Sequence, residues 1–128
     1  MYKPALTAGA LFAALAVILG AFGAHALKAK LPVEQLAVFE TGVRYHFYHS
    51  FALLITGILF SSFPFKGIRL ATTFFIAGII LFSGSLYAMT LMSMSGASLG
   101  PLGILTPIGG LFFILGWILL LTSVVKKN

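Results

Sequence analysis

The chain contains no cysteine and only two acidic residues, and both scarcities limit its chemistry. Without cysteine there can be no disulfide, no thiolate nucleophile, no iron–sulfur cluster and no Cys-ligated zinc. The acids, Glu34 and Glu40, are the only carboxylate side chains available for catalysis or metal binding. The sequence therefore excludes thiol chemistry and makes a carboxylate-based site hard to build.

Charged residues of either sign are also scarce. They make up 8% of the 128 residues, whereas hydrophobic residues make up 60%, and the mean hydropathy is +1.11. A soluble domain usually carries about 25% charged residues. With so few of them a water-facing surface could not be covered, so the composition predicts a membrane protein, and the length fits a single domain over residues 1–128.

A net charge of +6 raises the question of a nucleic-acid partner. However, the basic residues form no run with interleaved aromatic residues, and they stand mainly in pairs where apolar stretches end. The pairs are Lys28 and Lys30, Lys66 and Arg69, and Lys126 and Lys127. This placement is typical of juxtamembrane anchors that face anionic headgroups. It predicts a lipid bilayer, and not nucleic acid, as the partner.

Four apolar stretches are long enough to cross the ~30 Å hydrocarbon core, which takes about 20 helical residues. They cover residues 5–25, 45–63, 70–94 and 102–125. The first resembles a signal peptide, because Lys3 precedes it and Ala24-His25-Ala26 resembles a cleavage site, but it exceeds the roughly 7–15 apolar residues of such a segment. We therefore expect a retained helix and an all-α, four-helix membrane bundle.

The distribution of Lys and Arg favours a cytoplasmic location for both termini, because basic residues concentrate on the cytoplasmic side. Five lie on the side of the termini and three on the other. The first group is Lys3, Lys66, Arg69, Lys126 and Lys127, and the second is Lys28, Lys30 and Arg44.

The only long connection, residues 28–44, predicts a short amphipathic helix at the outer interface. Pro32 and Glu34 suit the first turn of such a helix, and apolar residues then recur at spacings of three and four. We expect the chain to turn into the membrane at Thr41-Gly42.

Small residues mark the seams along which membrane helices pack. In the first span they recur at steps of four, three, four and three, which predicts close packing and a central position for this helix. They are Gly9, Ala13, Ala16, Gly20 and Gly23. In the last two spans the candidate packing residues are Gly84, Gly103, Gly110 and Trp117.

Polar side chains gather in the half of the predicted bundle that lies away from the termini. This candidate cluster comprises His25, Glu40, Arg44, His46, His49, Ser83, Ser85, Tyr87 and Thr106. An unpaired polar group in hydrocarbon costs several kcal/mol, so these groups must satisfy one another, line a wet pocket or bind a ligand. The first alternative, an internal network that locks the helices together, is the leading interpretation.

Pairs within the cluster have interpretations of their own. Glu40 and Arg44 are four apart with the acid first, which favours a helical ion pair. His46 and His49 lie three apart, about 60° around a helix, and with His25 they are weak candidates for a three-imidazole metal site. Two histidines on different helices could also ligate a haem iron. Neither pattern is specific, so we assign no metal and no cofactor.

Five segments resemble the YgdD/YwdK-like membrane proteins, in the expected order and over nearly the whole chain. They are residues 20–25 (GAFGAH), 41–49 (TGVRYHFYH), 82–87 (FSGSLY), 106–110 (TPIGG) and 116–117 (GW). That family comprises small bacterial inner-membrane proteins with eukaryotic relatives and is classed as a domain of unknown function. The resemblance implies four helices in a bacterial cell membrane and carries no activity or cofactor. It also implies that position 46 is often Gln, which weakens a paired-histidine metal site.

Three classes of function stay open. The leading interpretation is a non-enzymatic scaffold or accessory subunit that packs against itself, as a homo-oligomer, or against a larger membrane complex. The alternative is binding or transport of a metal, a proton or a small lipid-like ligand through the polar cluster. An intramembrane enzyme would use Ser83 or Ser85 with His49, but the sequence has no Gly-x-Ser-x-Gly elbow and no HExxH motif.

Overall fold

The computed structural model describes residues 1–97 and 100–126, and all regular structure in these ranges is helical. We number its four helices in chain order. α1 spans Lys3–Leu27, α2 Val33–Leu59, α3 Lys66–Met94 and α4 Leu102–Val125. Lys127, which was counted among the basic residues on the side of the termini, lies outside the described residues. The predicted all-α class with four helices is confirmed.

Three of these helices, α1, α3 and α4, are long and apolar enough to cross a membrane. α2 has a similar length of 27 residues, but it carries Arg44, His46 and His49 in its middle. It is thus the polar helix of the bundle.

The bounds of α2 differ from those predicted for the second span. The sequence suggested an interfacial helix, a turn at Thr41-Gly42 and a separate span over residues 45–63, but one unbroken helix replaces both segments. The Thr41 hydroxyl donates to the Ala37 carbonyl at 2.9 Å within this helix. Gly42 is buried, and a Cβ atom there would lie 2.8 Å from Cε1 of Tyr87. Gly42 therefore serves the close approach of α3 to α2 and not a turn.

Consecutive helices run antiparallel, so the start of α1 and the end of α4 lie at the same end of the bundle, which we call the terminal end. There the Tyr2 amide donates to the carbonyl of Gly57, close to the end of α2, at 2.9 Å. Lys126 follows α4, and its Nζ atom lies 5.6 Å from the centre of the Phe65 ring, just before α3. The α1–α2 connection, the end of α3 and the start of α4 lie at the opposite end.

The helices pack as a series of neighbours: α1 on α2, α2 on α3, and α3 on α4. α2 and α3 form the central pair, and residues of the main core such as Leu53, Phe75 and Ile79 come from these two helices. The expectation that the first helix is central is wrong, because α1 packs along α2 and has little contact with α3 or α4. A single stripe of small residues accommodates only one neighbour.

That stripe of α1 lies against α2. A Cβ atom added at Gly9 would lie 2.9 Å from the Leu54 side chain, and one added at Gly23 would lie 2.7 Å from Phe39. The remaining members are buried or half-buried: Ala13, Ala16 and Gly20.

On α4 the closest approaches come from Gly109 and Gly116, neither of which was predicted as a packing residue. A Cβ atom at Gly116 would lie 2.6 Å from an aromatic ring of α3. Of the selected glycines, Gly110 makes a looser contact, whereas Gly84 and Gly103 have no atom within 4 Å of an added Cβ. The predicted series, Gly103, Gly110 and Trp117, and the observed pair, Gly109 and Gly116, both have a spacing of seven residues. The two sets differ by one residue, or about 100° around the helix.

α3 contains a π-helical segment, Ile79–Ser83, in its middle, and α1 ends in another, Gly23–Leu27. Such segments insert an extra residue into a helix and often occur at functional sites. The segment in α3 ends at Ser83, two residues before Ser85, so it sets the rotation of both polar side chains.

Candidate functional site

The most deeply placed titratable group is His46, the central residue of α2. It lies about 20 Å from either end of the helix at 1.5 Å per residue, and only 3% of it is exposed. Its Nδ1 atom lies 2.9 Å from the Tyr87 hydroxyl oxygen, which joins α2 to α3. Ionisable residues inside a transmembrane bundle are costly and mark candidate functional sites.

Both ring nitrogens of His49 form hydrogen bonds within the protein. Nδ1 donates to the Tyr45 carbonyl at 2.7 Å, so in the neutral ring Nε2 carries no hydrogen, and it accepts the indole N–H of Trp117 at 3.1 Å. The imidazole also stacks on Phe113, with ring centres 3.5 Å apart. Because both nitrogens are engaged, neither offers a free lone pair to a metal or haem iron. His49 links α2 to α4.

Ser83 and Ser85 link α3 to its two neighbours. Ser83 Oγ donates to the Gly42 carbonyl of α2 at 2.7 Å. Ser85 Oγ donates to the Phe82 carbonyl at 2.8 Å and lies 2.6 Å from the hydroxyl oxygen of Thr106 on α4. Residues two apart point about 200° apart around a helix, which is why one serine faces α2 and the other α4.

The structure divides the predicted polar cluster in two. Six residues form what we call the internal network: His46, His49, Ser83, Ser85, Tyr87 and Thr106. The other three, His25, Glu40 and Arg44, are exposed. The predicted Glu40–Arg44 ion pair is not formed, since the described ranges contain no such pair within 4.0 Å. The network also reaches the middle of α2 and is not confined to one half of the bundle.

The three imidazoles do not converge. The offset between His46 and His49 turns one ring towards α3 and the other towards α4, and His25 is exposed near the end of α1. In the part of the chain that the structure describes, no group of three or more His, Cys, Asp or Glu side chains could hold a metal ion. The geometry therefore lends no support to a three-imidazole site.

Trp117 has a role that its sequence position did not indicate. It was expected to pack between helices, but 44% of it is exposed, and its indole N–H is the donor that completes the hydrogen bonding of His49. The sequence feature that indicates this role is a side chain with a hydrogen-bond donor deep within an otherwise apolar span.

The outer surface of α2 carries four exposed polar residues, which we call the α2 face: Glu40, Arg44, Tyr45 and Tyr48. Of the two tyrosines, 40% and 52% are exposed respectively. Neither tyrosine hydroxyl has a hydrogen-bond partner among the described residues. Neither tyrosine was among the predicted site residues, although Arg44 and Tyr48 stand four apart.

Two clefts flank the internal network. The larger, of about 810 Å³, lies between α2 and α4 and is lined by Tyr48, Phe113 and Trp117 among others. The smaller, of about 310 Å³, lies between α1 and α3, and His46 and Tyr87 form part of its wall.

The sequence matches a known family of proteins. The profile of a family described as "Protein of unknown function (DUF423)" matches residues 19–110, a range that contains the whole internal network. The chain belongs to this family. It is 45% identical over 121 residues to the UPF0382 membrane protein YwdK of Bacillus subtilis, covering 92% of this chain and 93% of that protein.

Relatives of the DUF423 chain also occur in staphylococci. The UPF0382 membrane protein SAB0533 of Staphylococcus aureus is 44% identical over 118 residues, which is 92% of each chain. The UPF0382 membrane protein SH2409 of Staphylococcus haemolyticus is 40% identical over the same share of both chains. No solved structure matches the chain. The resemblance to YwdK-like proteins is thus confirmed, and the chain is a membrane protein of a family with no known function.

Proposed function

We propose that this DUF423 protein is a non-enzymatic scaffold or accessory protein of a bacterial cytoplasmic membrane, and that it acts as a pair of copies joined through the α2 face. One observation carries the proposal: Glu40, Arg44, Tyr45 and Tyr48 are exposed together on a helix that lies between two membrane-spanning neighbours.

The proposal takes α2 as a fourth transmembrane helix. Its 27 residues extend about 40 Å, which exceeds the ~30 Å hydrocarbon core, and it packs between α1 and α3. The terminal end carries Lys3, Lys66, Arg69 and Lys126, and the opposite end carries Lys28 and Lys30. By the positive-inside rule this distribution favours cytoplasmic termini.

The α2 face is too polar to be covered by lipid alone. Arg44 is two residues from the central residue of α2, or about 3 Å along the axis. An arginine near the bilayer centre costs on the order of 2.5–3.5 kcal/mol by insertion scales. The two tyrosine hydroxyls also need partners that acyl chains cannot supply. Contact with another protein surface would satisfy all of these groups.

A second copy of the chain carries the complementary charges. In a two-fold symmetric pair the same surface meets itself, so each residue of the patch contacts its counterpart's neighbours. Glu40 and Arg44 are one helical turn apart, about 6 Å along the axis. About an axis perpendicular to the membrane, Glu40 of each copy can therefore reach Arg44 of the other, and two ion pairs form at once.

The hydrogen bonds of the network favour a structural role over catalysis. A serine nucleophile needs a base within hydrogen-bond reach. Ser83 and Ser85 donate to backbone carbonyls instead, and His49 is engaged by Tyr45 and Trp117.

The absence of cysteine permits a direct test, because a single substitution introduces a unique thiol. Tyr48→Cys lies on the α2 face, and Ile118→Cys, on the exposed surface of α4, is the matched control. In membrane vesicles treated with a short bis-maleimide we expect Tyr48→Cys to yield a product of about twice the 13.6 kDa monomer mass. Ile118→Cys should stay monomeric. Equal cross-linking at both positions, or none at either, contradicts the proposal.

Charge exchange then separates pairing from simple extension of Arg44 towards the lipid headgroups. In the Tyr48→Cys background, Glu40→Arg or Arg44→Glu alone places like charges across the interface. We expect each to weaken association by about tenfold, which corresponds to about 1.4 kcal/mol. The double exchange Glu40→Arg/Arg44→Glu restores complementarity and should restore cross-linking. If the double variant cross-links no better than Arg44→Glu, the two-fold pair is wrong.

A further inference from the structure

The cleft between α1 and α3 exists because α1 packs along α2 and has little contact with α3. Its volume is about 310 Å³, and aliphatic residues such as Leu15 and Ile80 form most of its wall. Gly84 also lines the cleft, and the space beside it is empty, since an added Cβ would have no atom within 4 Å. His46 and Tyr87 are its polar components.

One nitrogen of His46 has no hydrogen-bond partner. Nε2 is buried, and no described residue bonds to it. If the Tyr87 hydroxyl donates to Nδ1, Nε2–H is the single unpaired group. If Nδ1 donates instead, both Nε2 and the Tyr87 O–H lack partners, because this hydroxyl has no second hydrogen bond in the described ranges. The first arrangement leaves fewer unpaired groups and is favoured. Nε2 therefore carries a hydrogen and needs an acceptor.

The protein itself offers only a poor acceptor. The backbone of Phe12 on α1 is a polar neighbour of His46, but no bond between it and Nε2 meets the distance and angle required of a hydrogen bond. The Phe12 carbonyl is also an acceptor within the α1 helix. His46 lines the cleft, but its Nε2 atom is enclosed, so a small rotation of the ring is needed to bring this unpaired donor to a molecule in the cleft.

We propose that this cleft binds a neutral, lipid-soluble molecule with a carbonyl oxygen, such as a quinone, and that the oxygen accepts the His46 Nε2–H hydrogen bond. The molecule is neutral because no charged residue lines the cleft. It is lipid-soluble because the cleft lies beside the middle of α2, far from either membrane surface. The volume lies at the lower end of the range of about 300–1,000 Å³ for small-molecule sites, which suits one ring whose alkyl chain extends into lipid.

This inference does not depend on the pairing of copies, because the cleft and the α2 face involve different sides of α2. Glu40, Arg44, Tyr45 and Tyr48 do not line the cleft. Failure of one proposal therefore leaves the other testable.

The test uses the full chain, labelled with ¹⁵N in its histidine rings and purified in detergent. The probe is decylbenzoquinone, and decylbenzene, which has the same chain and no oxygen, is the control ligand. We expect the quinone to shift the His46 Nε2 resonance and to leave His49 unchanged, because both nitrogens of His49 are already bonded. Decylbenzene should leave both unchanged.

Two matched variants locate the binding. Gly84→Leu fills the cleft, and Gly103→Leu fills equally open space that does not line it. We expect Gly84→Leu to weaken quinone binding by about tenfold or more, and Gly103→Leu to change it by less than about twofold. His46→Phe should abolish the specific shift, and Gly84→Leu keeps the test valid if His46→Phe does not fold.

Four outcomes overturn the inference. They are no binding, equal effects of both ligands on His46, quinone binding that leaves His46 unchanged or survives Gly84→Leu, and a ligand-free spectrum in which Nε2–H is already hydrogen-bonded to the Phe12 carbonyl.

Discussion

At the scale of the residue, Trp117 and His49 show how one polar side chain allows another to be buried in an apolar bundle by forming a hydrogen bond with it. His49 is 4% exposed, and its Nε2 lone pair would be unpaired without the indole N–H. Trp117 meets this need with one edge while 44% of its surface faces outward. An amphipathic aromatic residue thus satisfies a buried acceptor and still contributes apolar surface to the lipid side.

Removing only the Trp117 donor should lower the free energy of unfolding more than removing both Trp117 and His49. Trp117→Phe leaves the His49 acceptor buried and unpaired, so we expect the free energy of unfolding to fall by about 1–3 kcal/mol. In Trp117→Phe/His49→Phe no nitrogen is left unpaired, and we expect part of the loss to be recovered. Unfolding in a titration with sodium dodecyl sulfate, followed by far-ultraviolet circular dichroism, measures both. If the double variant is less stable than Trp117→Phe, the Trp117–His49 hydrogen bond is not what stabilises this pair.

At the scale of the element, α2 shows where sequence patterns lose information. Gly42 lies between the predicted interfacial helix and the predicted second span, so the chain was expected to turn there. In the structure it sits in mid-helix, where its missing side chain admits Tyr87. Glycine serves turns and close helix contacts alike, and only the position of the neighbouring helix distinguishes the two. The π-helical segment of α3 likewise has no signature in the sequence.

A pair of alanine substitutions tests this interpretation of α2. Gly42→Ala places a Cβ atom 2.8 Å from Tyr87 and 3.3 Å from Leu86, so we expect a loss of about 1–3 kcal/mol in the free energy of unfolding. Gly103→Ala, in open space on α4, should be neutral or stabilise by about 0.5–1 kcal/mol, because alanine favours a helix more than glycine does. The same titration measures both. A neutral Gly42→Ala would indicate that α3 does not approach α2 at this point.

At the scale of the whole molecule, composition and the spacing of basic anchors were sufficient to predict four helices, because length and apolarity decide whether a helix suits a membrane. They could not predict which helices are central. The regular stripe of α1 suggested a central helix, yet it serves one partner, whereas α2 and α3 contact neighbours on two sides. All six residues of the internal network belong to the nine-residue polar cluster that the sequence predicted, but the sequence did not separate them from the other three. Its pairing, and the exposure of His25, Glu40 and Arg44, depend on helix rotations that no spacing specifies.

The orientation of the bundle gives a prediction for the whole chain. Lys3 and Ser61 lie at the terminal end, and Lys30 lies in the connection at the opposite end. If both termini are cytoplasmic, a membrane-impermeant maleimide should label Lys30→Cys in intact cells, and it should label Lys3→Cys and Ser61→Cys only after the membrane is permeabilised. The reverse pattern would invert the orientation and keep the four crossings. Labelling of both Ser61→Cys and Lys30→Cys in intact cells would exclude α2 as a span, because these residues flank it and reach opposite sides only if α2 crosses the bilayer.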